Sequence, residues 1–177
     1  GIGASALRNN TTGIRNTAIG NSNLLQNVSG SSNTAIGNLA LTKSTGNFNI
    51  GIGRNAGANM TSGDRNIFIA NDGTSSNLGL SSGSDNIFIG SMNTGISNGS
   101  GNIIIGKVTG LSSTNNNIII SDGVGNQRLK FNENGVMNLP TTPTTGSTSN
   151  DILVRNTNGD IESRSVESLI ENKLDKI

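Results

Sequence analysis

Four acidic residues stand apart in the first two thirds of the chain: Asp64, Asp72, Asp85 and Asp122, each beside turn-forming residues. Carboxylates can hold a divalent cation, or work in pairs on a glycosidic bond. A cation loop needs them at short fixed intervals, and neither an EF-hand nor a nonapeptide calcium repeat occurs. A glycosidase pair can be drawn from distant positions. Only three acids precede residue 121, however, and aromatic side chains, which could serve as platforms for sugar rings, make up 2% of the chain. Gly51-Ile-Gly53 with Gly57 has part of a dinucleotide loop but lacks its final spacing and any βαβ unit, so it reads as a turn. Cys and His are absent. That removes thiolate nucleophiles, disulfides, zinc–thiolate sites and the commonest general base. The expectation is a protein that is not an enzyme, with no catalytic residue, cofactor or metal.

The residues that recur at fixed spacing are of another kind. An Asn, two variable residues, an Ile and a small residue return as Asn16-Thr-Ala-Ile19-Gly20, Asn33-Thr-Ala-Ile36-Gly37, Asn49-Ile-Gly-Ile52-Gly53 and Asn66-Ile-Phe-Ile69-Ala70. They return again as Asn86-Ile-Phe-Ile89-Gly90, Asn102-Ile-Ile-Ile105-Gly106 and Asn117-Ile-Ile-Ile120-Ser121, after a truncated copy at Gly1-Ile2-Gly3. From Ile2 the Ile recurs after 17, 17, 16, 17, 20, 16 and 15 residues. Such a period marks a repeat architecture whose units bury their apolar faces by stacking. The hydrophobic share is 31%, with 30 Asn beside 25 Gly. Disorder would fit that composition but not the constant spacing. The phrases are β-branched and bounded by Gly, Ser, Asn and Asp, and no helical stripe precedes residue 164, so the repeat predicts strands of a β-solenoid.

Read by column, Ile19, Ile36, Ile52, Ile69, Ile89, Ile105 and Ile120 never vary, and they are expected to form the coil's own core. Thr17, Thr34, Ile50, Ile67, Ile87, Ile103 and Ile118, two residues earlier, share their face because strand side chains alternate. The column between, Ala18, Ala35, Gly51, Phe68, Phe88, Ile104 and Ile119, then points outward and is expected to pack between chains. Strands apolar on both faces need a cover on both, which predicts a homo-oligomer. Leu7, Leu24, Leu25, Leu41, Met60, Val108 and Leu111 are expected to complete the core. The Asn column is expected to cap turns or to form a ladder between rungs.

At NTAIG, NTAIG and NIGIG (Asn16–Gly20, Asn33–Gly37, Asn49–Gly53) the chain resembles the head repeats of trimeric autotransporter adhesins and related repeats of phage tail fibres. The resemblance covers roughly residues 1–121 and implies parallel β-rolls from three chains, a homotrimer. Ile118 to Pro140, IIISDGVGNQRLKFNENGVMNLP, is similar to the segment that succeeds such repeats in phage fibres. The repeats here are longer than in adhesin heads, and later copies carry Phe and Ile where those have small residues.

Beyond the repeat the character changes. Residues 1–120 hold 9 charged side chains and residues 121–177 hold 14, which sets a boundary near Asp122. The expected organisation is a solenoid shaft over 1–121, a β-hairpin over 122–140 turning at Asn134-Gly135, and a Thr/Pro/Ser linker over 141–150. A second hairpin over 151–163 and a helix over 164–177 complete it. The helix would be capped by Ser165, with Val166, Leu169, Ile170, Leu174 and Ile177 along one stripe that suits a trimeric coiled coil.

A net charge of +1 with no Trp or Tyr argues against nucleic acid, and no apolar run approaches a membrane span. The chain starts inside a repeat phrase without Met, which predicts a piece of something longer. The function expected is a structural fibre segment of a phage tail or virion appendage, extracellular. It would be partnered by itself and by other virion or fibre proteins, and involved in attachment to a host surface glycan or protein, with no receptor-binding residue singled out. The alternative is a bacterial cell-surface adhesin head. An ice-binding solenoid is disfavoured because the Thr column ends after Thr17 and Thr34.

Overall fold

The computed structural model describes residues 1–70, 81–90, 98–108, 114–138, 151–155 and 161–165. It divides into two compact units, Gly1–Thr141 and Thr142–Ile177. The first is an all-β solenoid. Its rungs contribute β1 (Thr17–Ile19), β2 (Thr34–Ile36), β3 (Ile50–Ile52), β4 (Ile67–Ile69), β5 (Ile87–Ile89), β6 (Ile103–Ile105) and β7 (Ile118–Ser121). Each pairs with the next in parallel and without a register slip, so Ile19 faces Ile36 and so on to Ile105 and Ile120. Every strand falls on a predicted phrase. The strands are short because the phrase is closed on one side by Asn and, in five of the seven copies, on the other by Gly. Gly37 has φ +136°, and a Cβ there would press on the carbonyl of Gly53 in the next rung, so a larger residue is excluded by both backbone and neighbour.

The core inside the coil inverts the expected faces. Ala18, Ala35, Phe68, Phe88, Ile104 and Ile119 are at most 5% exposed, and Gly51 is buried with them. The constant isoleucines Ile19, Ile36, Ile52, Ile69, Ile89, Ile105 and Ile120 point away from that core. The residues expected between chains thus form each chain's interior, and those expected in the interior lie on its surface. Alternation supplies the reason. The Asn of each phrase stands two residues before the Ala/Gly/Phe column, so both share a face, and from Asn33 onward the Asn side chains are buried.

The exchange of Ala and Gly for Phe along the chain therefore records changing packing inside the coil, not along a shared axis. In the early rungs the small residues leave room for Leu24 and Leu41, both fully buried. A Cβ at Gly51 would strike Leu41. Further on, Phe68 and Phe88 fill the interior themselves, stacked at 5.3 Å and nearly parallel. Met60 and Val108 are buried as expected, Leu7 packs against the cluster and Leu25 is half-buried, while Leu111 lies outside the described residues.

After β7 the chain reverses. β8 (Gln127–Phe131) pairs antiparallel with β7, and β9 (Met137–Asn138) with β8, so the sheet runs on for two strands after the coil stops. The predicted hairpin is present, but it belongs to the solenoid's sheet. Its turn is also longer than the two residues expected. The Asn132 N–H donates to the Val136 carbonyl, Gly135 adopts φ +73°, and the Asn132 side chain accepts from the N–H groups of Asn134 and Val136. This is the three-residue loop with a left-handed Gly. In the second unit β10 (Asp151–Arg155) and β11 (Ile161–Ser165) form the expected antiparallel hairpin. β11 runs through Ser165, so residues 164 and 165 are strand and do not start a helix. The 141–150 linker and the remainder of the predicted helix lie outside the described residues.

Candidate functional site

The surface feature that the fold builds most deliberately is a double column of β-branched residues on the outer face of β1–β7. Ile19, Ile36, Ile52, Ile69, Ile89, Ile105 and Ile120 are each 36–42% exposed. Beside them Thr17 and Ile118 are exposed, and Thr34, Ile50, Ile67, Ile87 and Ile103 half-buried. In-register pairing makes both columns continuous, and no charged side chain interrupts them. Scattered surface isoleucines need no explanation, but an unbroken apolar stripe is the mark of a contact surface.

Behind the stripe an amide ladder holds the rungs in register. The Oδ1 of Asn16 accepts the backbone N–H of Asn33 at 2.9 Å, and the same bond links Asn33 to Asn49, Asn49 to Asn66, Asn66 to Asn86, Asn86 to Asn102 and Asn102 to Asn117 at 2.9–3.1 Å. The Nδ2 groups donate to the next rung's turn, to the carbonyls of Gly30, Gly46, Gly63, Gly83, Gly99 and Thr114 in order, at 2.7–2.9 Å. Both expectations for the Asn column are met: the ladder links the rungs, and Asn86, Asn102 and Asn117 also donate from Nδ2 to the turn carbonyl two residues back, of Ser84, Ser100 and Asn115. Sequence reasoning missed the acceptor column. Gly13, Gly30, Gly46, Gly63, Gly83 and Gly99 each stand three residues before a ladder Asn, a periodicity as regular as that of the Ile. A Cβ at Gly46 would collide with the carbonyl of Gly63.

No family model, curated protein or solved structure matches the chain. The acidic candidates have structural partners. Asp64 accepts from the backbone and side chain of Asn47 one rung above. Asp85 is bridged to Arg65 at 2.6 Å on an exposed face. That hydrogen bond lowers the Asp85 pKa and raises that of Arg65. Asp122 closes the β7–β8 turn. Its Oδ1 accepts from the N–H groups of Val124, Gly125 and Asn126, and its Oδ2 from the Asn126 amide and Arg128. The Asn126 amide, foremost among these donors, holds the Asp122 carboxyl well below the usual range, with burial opposing it. Asp72 lies outside the described residues. Gly51 belongs to β3 and Gly57 sits against Leu41 and Phe68. Among the described residues no three potential metal ligands cluster, and no helix is long and apolar enough to cross a membrane.

Proposed function

We propose that the chain is a structural segment of a homotrimeric fibre, an appendage of a phage tail or virion, that carries an attachment tip away from the particle. The observation that carries this reading is the unbroken Ile/Thr stripe. Full burial of an Ile contributes up to about 3 kcal/mol, so covering the remaining two fifths of each constant Ile is worth about 1 kcal/mol. Seven such residues contribute on the order of 7 kcal/mol per chain before the second column is added, enough to meet the lower estimates for the cost of association. Identical chains are the occupant that fits, because a partner with the same rung spacing presents the same periodic columns along the whole length. The NTAIG resemblance supports three copies, and the amide ladder supports a stiff shaft.

Light scattering of the folded full chain is the direct test, with three chain masses expected. A folded monomer would overturn the reading. Recovery of the chain from purified virions is expected as well, whereas recovery from a bacterial outer surface would make it an adhesin head.

A further inference from the structure

Where the coil ends, its sheet continues while its other walls stop. This leaves a notch of about 270 Å³ lined by Thr114, Asn115, Asn117, Lys130, Asn132 and Glu133. Every one of these side chains is polar. Asn117 is the last member of the amide ladder. Its N–H is taken by Asn102, and its Nδ2 turns to the carbonyl of Asn115 at 2.6 Å. Its Oδ1, which in every earlier member accepts an N–H from the rung beyond, receives none from the described residues. Lys130 sits opposite Ile119 in the β7–β8 register. Lys130 and Glu133 are not bridged to each other, so the notch holds one charge of each sign. The Asn132 oxygen is committed to the hairpin turn and the Asn115 oxygen to the N–H of Ser100. Both Asn amide nitrogens are left as donors.

We infer that this notch binds a single sugar residue bearing an acetamido group. The free groups are a mixture: the two Asn amides and the Lys130 ammonium donate, while the Asn117 oxygen and the Glu133 carboxylate accept. Hydroxyls, which do both, satisfy such a set. A phosphate would meet Glu133, and a metal cation would meet Lys130. The ladder oxygen is placed for an amide N–H, since an amide N–H occupies it at every rung above, and the acetamido N–H supplies one. The volume lies just below the range of ordinary ligand pockets, which suits one ring and not an extended glycan buried along its length. The notch shares no residue with the Ile stripe, so it stands or falls independently of the assembly.

The test is a ligand-observed saturation-transfer titration of the full chain with N-acetylglucosamine and N-acetylgalactosamine, against glucose, galactose and acetamide alone. At least one acetamido sugar is expected to bind about tenfold or more tightly than its parent sugar and than acetamide. Lys130→Gln and Glu133→Gln are each expected to weaken it about fivefold. Circular dichroism and the light-scattering mass should be unchanged in both variants, which separates lost binding from lost folding or assembly. Equal response to the parent sugar, equal response to acetamide, no transfer at all, or binding indifferent to both variants would each overturn the inference.

Discussion

Phe68 and Ile69 are adjacent, apolar and on opposite faces, so truncating each tests which face is the core. Phe68 is fully buried and stacked on Phe88 at 5.3 Å. Phe68→Ala removes a ring from an interior where Leu41 and Gly57 are held close by their own turns, so collapse into the space is restricted. Burial and cavity together are worth about 3–5 kcal/mol, including about 0.5–1.5 kcal/mol from the ring pair. Ile69 is 42% exposed on the single chain. Ile69→Ala removes three carbons at about 0.8 kcal/mol each when fully buried, so its cost within one chain is about 1.5 kcal/mol. Any further effect must come through association. The assay is denaturant unfolding followed by circular dichroism at two protein concentrations tenfold apart. Phe68→Ala should lower stability by the same amount at both, and the loss caused by Ile69→Ala should be larger in the concentrated sample, where the chains are associated, and fall towards its single-chain value of about 1.5 kcal/mol in the dilute one. If Ile69→Ala costs several kcal/mol at every concentration while Phe68→Ala costs less than about 1 kcal/mol, the assignment of faces is wrong.

Asn66→Ala strips the buried N–H of Asn86 and the carbonyl of Gly83 of their partners. A loss of about 2–5 kcal/mol is expected in the same unfolding assay, at about 1–3 kcal/mol per buried group left unpaired. Phe48 is 60% exposed with φ +56°, so in Phe48→Gly the relief of the left-handed cost is offset by added chain entropy and by the lost two fifths of ring burial, and stability should stay within about 1 kcal/mol of the parent in the same assay. Asp122 has a folded-state pKa below its ordinary 3.8. Its contribution is therefore fully present above that value and is lost as pH falls through it towards the folded pKa. Stability tracked from pH 6 downward should show this loss, and Asp122→Asn should be less stable at pH 6 but lack that part of the acid slope.

Much of the fold was legible because it rests on spacing. The phrases from Asn16 to Ser121 mark each solenoid strand, and Leu24, Leu41 and Met60 declare themselves as the opposing core. The orientation of the strands was not legible from the Ile column alone, because both faces are apolar and invariance looks the same in a core and in a contact. The signal that decides it is polar. Asn66 and Phe68 sit two apart and so face the same way, and an amide with four hydrogen-bonding positions is buried only where a partner rung satisfies it. The acceptor glycines Gly13 to Gly99 carry the same message. The notch could not be read in advance, since it depends on β8 folding back on β7, and no local pattern at Lys130 announces that pairing.

Every link of the amide ladder is the same link. Asn33 joins Asn49 through the same atoms that join Asn86 to Asn102, and the adjoining turns absorb steps of 15 to 20 residues. A whole rung can therefore be duplicated or deleted in the gene and the ladder will rejoin through the same bonds, provided the core side chains brought together still fit, whereas the insertion of one residue inside a phrase breaks both columns at once. Length in this protein is inherited in whole rungs, and a lineage can lengthen or shorten it by recombination between copies.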